Sequence, residues 1–272
     1  MPHTLASVRD TIEQLWPLSG AEGWDAPGLV AGDPAAEVER ILLAVDAVAA
    51  TVDEAVELRA DLLIAHHPLL LRGVTSIAED RYKGALLAAL IRGGVALYAA
   101  HTTADVVAGG TSAVLASRLG LNDTAPISPA SDGVTGIGRV GDLAQPTTLG
   151  ALARAVADLL PPTAGGVRAA GDYHQPVRRV AVCGGAGDSL LGSPAVREAD
   201  VYITADLRHH PASEAREQAA LGGGPALLDV SHWASEWLWL DTAADQLRAA
   251  LPDVEVVVSE LRTDPWDFAI LQ

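Results

Sequence analysis

Short, largely apolar runs set the strongest limit on what this chain can fold into. Arg40-Ile-Leu-Leu-Ala-Val45, Asp61-Leu-Leu-Ile-Ala65, Val95–Ala100, Arg179–Cys183, Ala199–Thr204 and Ala226–Val230 are strand-length, and none shows the alternation of a half-exposed strand. Runs of this kind are buried on both faces, as in the parallel sheets of α/β proteins. Helical patterns lie between them. Residues 4–16 place Val8, Ile12, Leu15 and Trp16 near one face, with Thr4 as N-cap and Pro17 as stop. Further helices are expected from Thr51 to about Arg59, from about Lys83 to Arg92, over 149–160, and from the residues after His232 to about Ala250. Val254–Val258 reads as a last strand. Strands alternating with helices define the α/β class.

A chain of 272 residues has room for one large domain or two ordinary ones. Residues 121–148, rich in Pro, Ser, Gly and Asp and with weak strand signals at Gly136–Val140, mark the candidate boundary. The expected division is a first lobe over 1–125 and a second over 126–272, with a C-terminal tail that can return to the first. The halves also repeat one another: a strand, a helix, Ala60-Asp61 or Ala199-Asp200 opening the next strand, then His66-His67-Pro68 or His209-His210-Pro211. The fold expected is two similar α/β lobes with mixed sheets. A net charge of -17 is a poor match for the phosphate backbone, so nucleic acid is not the expected partner. Cys183 is the only cysteine, which excludes an intrachain disulfide and any multi-cysteine metal site. No signal peptide and no membrane-spanning run is legible, and a cytoplasmic location is expected.

The chemistry concentrates in histidines at the ends of those strands. His66 and His67 follow Asp61–Ala65, His101 follows Val95–Ala100, and His232 follows Ala226–Val230. Open α/β sheets bind ligands at this carboxyl edge. His101 and Asp105, and His232 and Glu236, are spaced four apart, as residues sharing one helix face are. Imidazole with carboxylate suits first-row divalent metals. Adjacent side chains diverge on extended backbone, so His66 and His67 are poorly placed to share one ion. Two ions bridged by a carboxylate fit better. Any one of these histidines alone reads as a capping residue, and the assembly of all of them favours metal. His209 and His210 lie in a helical or turn-like stretch and read as pocket-rim or structural residues. Gly184-Gly-Ala-Gly187 lacks the Lys-Ser/Thr of a phosphate loop, so tight strand–helix packing is the simpler reading. Cys183, at the end of a buried strand, reads as inert.

These stretches carry a family resemblance. Trp24-Asp25 with Gly28-Leu29, Asp61–Pro68, Ala100–Asp105 with Gly109-Gly110, Cys183–Gly187, Asp200–Thr204 and Ser231–Glu236 resemble the Nif-three-like dinuclear metal-centre proteins, often labelled GTP cyclohydrolase I type 2 homologues. The length is similar to the short form, without the inserted domain of longer members. The resemblance implies metal ligands at His66, His67, Asp105, His232 and Glu236, with Glu236 bridging. His67 and Asp105 would serve one ion, and His66 and His232 the other, in a cleft between the lobes. It places His101 behind the ligands and implies ring-shaped homohexamers. The chain departs from the family pattern at Ala26, at Ala205-Asp206 and at Ser231, none of them a ligand position.

The function expected is a hydrolase using two divalent ions (Zn, Fe, Mn, Ni or Co) on a small molecule, either a nucleotide or another phosphoester. The alternative is a non-enzymatic protein that binds and delivers metal through the same ligands.

Overall fold

The expected alternation of strand and helix holds over much of the described chain. This computed structural model describes residues 2–270. The chain runs α1 (Leu5–Leu15), β1 (Gly28–Ala31), β2 (Arg40–Ala44), α2 (Ala49–Glu57), β3 (Leu62–Ala65), α3 (Tyr82–Gly93), β4 (Ala96–Ala99), α4 (Thr102–Val106) and α5 (Thr111–Arg118). There follow β5 (Leu121–Ala125), β6 (Ser128–Pro129), β7 (Gly136–Ile137), β8 (Arg139–Thr148), α6 (Leu149–Leu159), β9 (Arg168–Ala170) and β10 (Pro176–Ala186). The remainder is α7 (Pro194–Arg197), β11 (Val201–Ala205), α8 (His209–Ala220), β12 (Ala226–Val230), α9 (His232–Trp237), α10 (Trp239–Ala250) and β13 (Glu255–Val258).

Two compact units emerge. One holds the chain up to Ala104 together with Leu240–Thr263, and the other holds Asp105–Trp239 and the segment from Asp264. The first unit is built on a sheet ordered β1-β4-β3-β2-β13, in which only β1 is antiparallel. Ile41, Leu42, Leu43, Leu62, Leu63 and Ile64 are all fully buried, as strands covered on both faces require. Thr4 caps α1 as expected, its hydroxyl accepting from the Ser7 amide at 3.2 Å. Gly94 closes α3 in the left-handed conformation at φ 71°, a position that suits glycine.

The second unit has a sheet ordered β5-β8-β10-β11-β12-β9, with β10, β11 and β12 parallel and the others antiparallel. The polar stretch 121–148 contributes β5 and β8 to this sheet, so its composition conceals strands. The long helix expected after His232 is two helices, α9 and α10, parted at Leu238. That break falls beside the division between the units, after Trp239.

Each unit contains the same three-strand core, and the repeat extends to individual hydrogen bonds. Leu62 pairs with Ile41 and Ala96 in the first unit, and Val201 pairs with Val180 and Ala226 in the second. Asp61 accepts from the amides of Glu39 and Arg40 at 2.8 and 2.9 Å. Asp200, one residue before its own strand, accepts from Arg178 and Arg179 at 2.8 Å each. By this register Ala205 and Asp206 are the counterparts of His66 and His67. His209 and His210 therefore are not the counterparts of the first pair; they open α8.

Candidate metal centre

In the first unit, β3 and β4 end side by side and deliver three histidines to one edge. The backbone amides of His66 and His67 bond to the carbonyls of Ala44 and Val45, fixing both residues as a continuation of β3. The rings of His66 and His67 stand 5.1 Å apart, and that of His101 lies 5.3 and 5.6 Å from them. Each offers a ring nitrogen within 4.8 Å of the others. His101 sits just before α4, one ladder position earlier than His232, which opens the equivalent helix α9 in the second unit. It joins His66 and His67 rather than continuing the helix that carries Asp105.

Hydrogen bonding fixes the chemistry of these rings. His66 Nδ1 lies 2.9 Å from the Ala100 carbonyl, His67 Nδ1 lies 2.7 Å from Asp46 Oδ1, and His101 Nδ1 lies 2.8 Å from Asp25 Oδ1. A carbonyl or carboxylate oxygen only accepts, so Nδ1 carries the hydrogen in each ring. In a neutral ring Nε2 then holds the lone pair a metal needs. Asp46 also accepts from Thr263 through Oδ2, tying the end of the first unit's chain to His67. Asp25 accepts from the Thr102 amide and hydroxyl as well as from His101. Burial raises the carboxyl pKa of Asp25, but these hydrogen bonds outweigh it and hold the group below its usual 3.8.

In the second unit the turn Gly184-Gly185 lets Glu236 and His232 close on one another. β10 shifts register between Val182 and Ala186, and Gly185 takes φ 68°. A Cβ on Gly185 would stand 2.2 Å from Glu236 Oε1 and 3.1 Å from His232 Nε2, so only glycine lets the two side chains close in. The Gly184 amide donates to Ser112 Oγ at 3.1 Å, and the Gly185 amide donates to Ser235 Oγ at 2.9 Å. With both amides committed to serines, the turn is packing rather than an anion cradle, as its sequence suggested. Asp105 is held from α5, where Thr111 donates to its Oδ1. Arg139 is buried and donates to the carbonyls of Gly136, Gly138 and Val107, anchoring the chain just beyond Asp105.

His232 repeats the pattern of the first unit. Its Nδ1 lies 2.7 Å from Asp206 Oδ2, and its Nε2 faces Glu236 Oε1 at 3.1 Å. Burial disfavours the charged ring, yet the Glu236 carboxylate and the hydrogen bonds to Asp206 and Glu236 prevail and push its pKa up to about 11. The proton on Nε2 thus sits where an ion would bind. Burial, with the negative charges of Asp105 and Glu236, pushes the Cys183 thiol up to about 12, far from the range of a reactive thiolate. His209 and His210 are exposed, and His209 lines a cavity of about 410 Å³ beside Arg168, Ser213 and Arg216.

The structure thus gathers His66, His67 and His101 in one unit and sets His232 against Glu236 in the other, the unit that also holds Asp105. Imidazole lone pairs fixed from behind, together with buried carboxylate, are a donor set that fits divalent transition metals. Sequence reasoning missed the fixing groups. Asp46 and Asp206 show no local motif. Their only signal is that each lies just past the end of a buried strand, at the edge where the histidines collect.

The family model described as Duf34/NIF3 (NGG1p interacting factor 3) matches residues 3–265. A Streptomyces coelicolor protein named GTP cyclohydrolase 1 type 2 homolog is 48% identical over 269 residues, covering 96% of this chain and 93% of its own. A Mycobacterium leprae protein of the same name is 34% identical over an alignment of 375 residues, covering 98% of this chain and 96% of its own. That span exceeds this chain's 272 residues, so the mycobacterial protein carries segments without counterpart here. A Bacillus cereus protein related to NIF3 has the same fold, with a TM-score of 0.90 at 24% identity over 99% of this chain and all of its own. On the match of the family model and of these relatives, the chain is a member of the Duf34/NIF3 family.

Proposed function

We propose that this protein is a metal-dependent hydrolase that holds two divalent ions through His66, His67, Asp105, His232 and Glu236, and that it acts on a nucleotide or another phosphoester. One observation carries the reading. On His66, His67 and His232 alike, Nδ1 is committed to a carbonyl or carboxylate, leaving Nε2 as the metal donor. The relatives' name, GTP cyclohydrolase 1 type 2 homolog, supports a nucleotide substrate. Bound divalent ions supply Lewis acidity, polarising the bond under attack and making water a nucleophile at neutral pH. The chain's own part is orientation. Asp46 and Asp206 hold the protons on His67 and His232, Asp25 holds His101, and Glu236, with two carboxylate oxygens, is the bridging ligand.

We also infer that the chain works in the cytoplasm and self-associates, as a hexamer in keeping with the family resemblance. Among the described residues no helix is long and apolar enough to cross a membrane. Trp266, Phe268 and Ile270 alternate along the C-terminal segment and are 69, 77 and 80% exposed, which supports burial against another copy.

Metal analysis of protein purified without added metal is the first test, followed by turnover of GTP and a panel of phosphoesters with Glu236→Ala as control. Two ions per chain and turnover lost in the variant are expected. A saturating stoichiometry of one or fewer rejects the dinuclear reading. Reversible metal exchange with no turnover of any substrate favours metal delivery.

A further inference from the structure

Beside the three histidines of the first unit stands an indole that the fold leaves uncovered. Trp24 is 61% exposed, whereas Trp16 and Trp239 are fully buried and Trp233 nearly so. Its ring meets His101 edge-on, with centroids 5.7 Å apart and planes at 78°. The backbone beneath it is pinned on both sides. Glu22 donates its amide to Thr102 Oγ1 at 3.0 Å, and Asp25, whose side chain has no exposed surface, accepts from His101, Thr102 and the Ala26 amide. A large aromatic side chain held on a fixed backbone but left in water is a poor stabiliser. It is a ready contact surface for a flat ring.

We propose that Trp24 determines specificity, providing an aromatic platform on which a planar heteroaromatic ring of the substrate stacks next to the metal histidines. The substrate class is then a nucleobase-bearing anion rather than an aliphatic phosphoester. This rests on the metal reading above and sharpens it. Stacking on an aromatic side chain tolerates any base, because every base has a π-face. Its loss on alanine substitution weakens binding roughly 5- to 150-fold per base.

Equilibrium binding separates the possibilities. GTP and inorganic triphosphate are titrated by calorimetry into metal-loaded wild type, Trp24→Ala and Trp24→Phe, with metal content and sedimentation measured for each. The expected result is that wild type prefers GTP and that Trp24→Ala loses roughly 5- to 150-fold for GTP but not for triphosphate. Trp24→Phe should retain most of the preference, and all three proteins should hold equal metal. Equal loss for both probes, or no preference in wild type, overturns the proposal. Loss of metal in Trp24→Ala also overturns it, since the indole then serves only to support His101. A smaller sedimenting species with unchanged binding overturns it in favour of an interface role. If wild type holds no metal, the metal reading fails separately, and guanosine binding to the metal-free protein decides the role of Trp24. A loss on Trp24→Ala supports stacking there, and no loss overturns it.

Discussion

Asp46 has no chemistry of its own in this reading, yet it bonds to His67 through one oxygen and to Thr263 through the other. Replacing it with alanine releases the His67 ring to either tautomer. Removing such partners behind a metal ligand costs 10- to 100-fold in metal affinity as a rule. Asp46→Ala should therefore weaken metal binding by about that factor while leaving the fold intact, checked by competition with a chelator of known affinity. At His232 the sign of the pH effect follows from the raised pKa. The ring is protonated below about 11 in the metal-free protein, so an ion must displace that proton. Loading metal near pH 7 should release a proton at this residue, and affinity should fall with falling pH. Calorimetry in buffers of different ionisation enthalpy measures the released protons. Asp25 gives the opposite case. Its folded pKa lies below the usual 3.8, so its contribution to stability is complete above that value and disappears as pH falls through the folded pKa. The difference in melting temperature between wild type and Asp25→Asn should shrink on acidification from pH 5 toward pH 2.

At the level of elements, the two parallel cores share one device, an aspartate that receives two successive amides at or beside the neighbouring strand. Asp61→Ala and Asp200→Ala each leave those two amides without their acceptor. Each should destabilise its own unit by about 1–3 kcal/mol, read from denaturant unfolding. Gly185→Ala attacks a different point: the added methyl group falls on Glu236, at a backbone conformation that disfavours it. Reduced metal content together with a lower melting temperature is expected, and normal metal content in this variant would count against the turn as organiser of the ligands. The parallel strands were legible because their runs are largely apolar, and the helix ends because Thr4 and Gly94 act locally. The split at Leu238 was not, because neither proline nor glycine marks it. Nor were β5 and most of β8, whose polar residues pair in a sheet through backbone bonds that composition does not record; only Gly136–Val140 carried a weak strand signal. The histidines could be read from their positions after strands. Asp46 and Asp206 could not be assigned to them, because the partners lie 21 and 26 residues away in sequence and only the ladder register brings them together.

For the whole molecule, the C-terminal segment offers the clearest test of self-association. Trp266→Ser with Phe268→Ser removes most of its apolar surface without touching Asp264, which accepts from Ser231 at 3.2 Å. Sedimentation should then show a smaller species, and an unchanged assembly would assign these residues no part in it. The two-unit organisation also gives Cys183 a use unrelated to metal. It is the chain's only thiol, it lies on a buried strand of the second unit, and its high pKa suppresses the thiolate. An alkylating reagent can reach it only when that unit opens. The rate of alkylation in native protein is thus a clock for the opening of that unit, readable by mass alone.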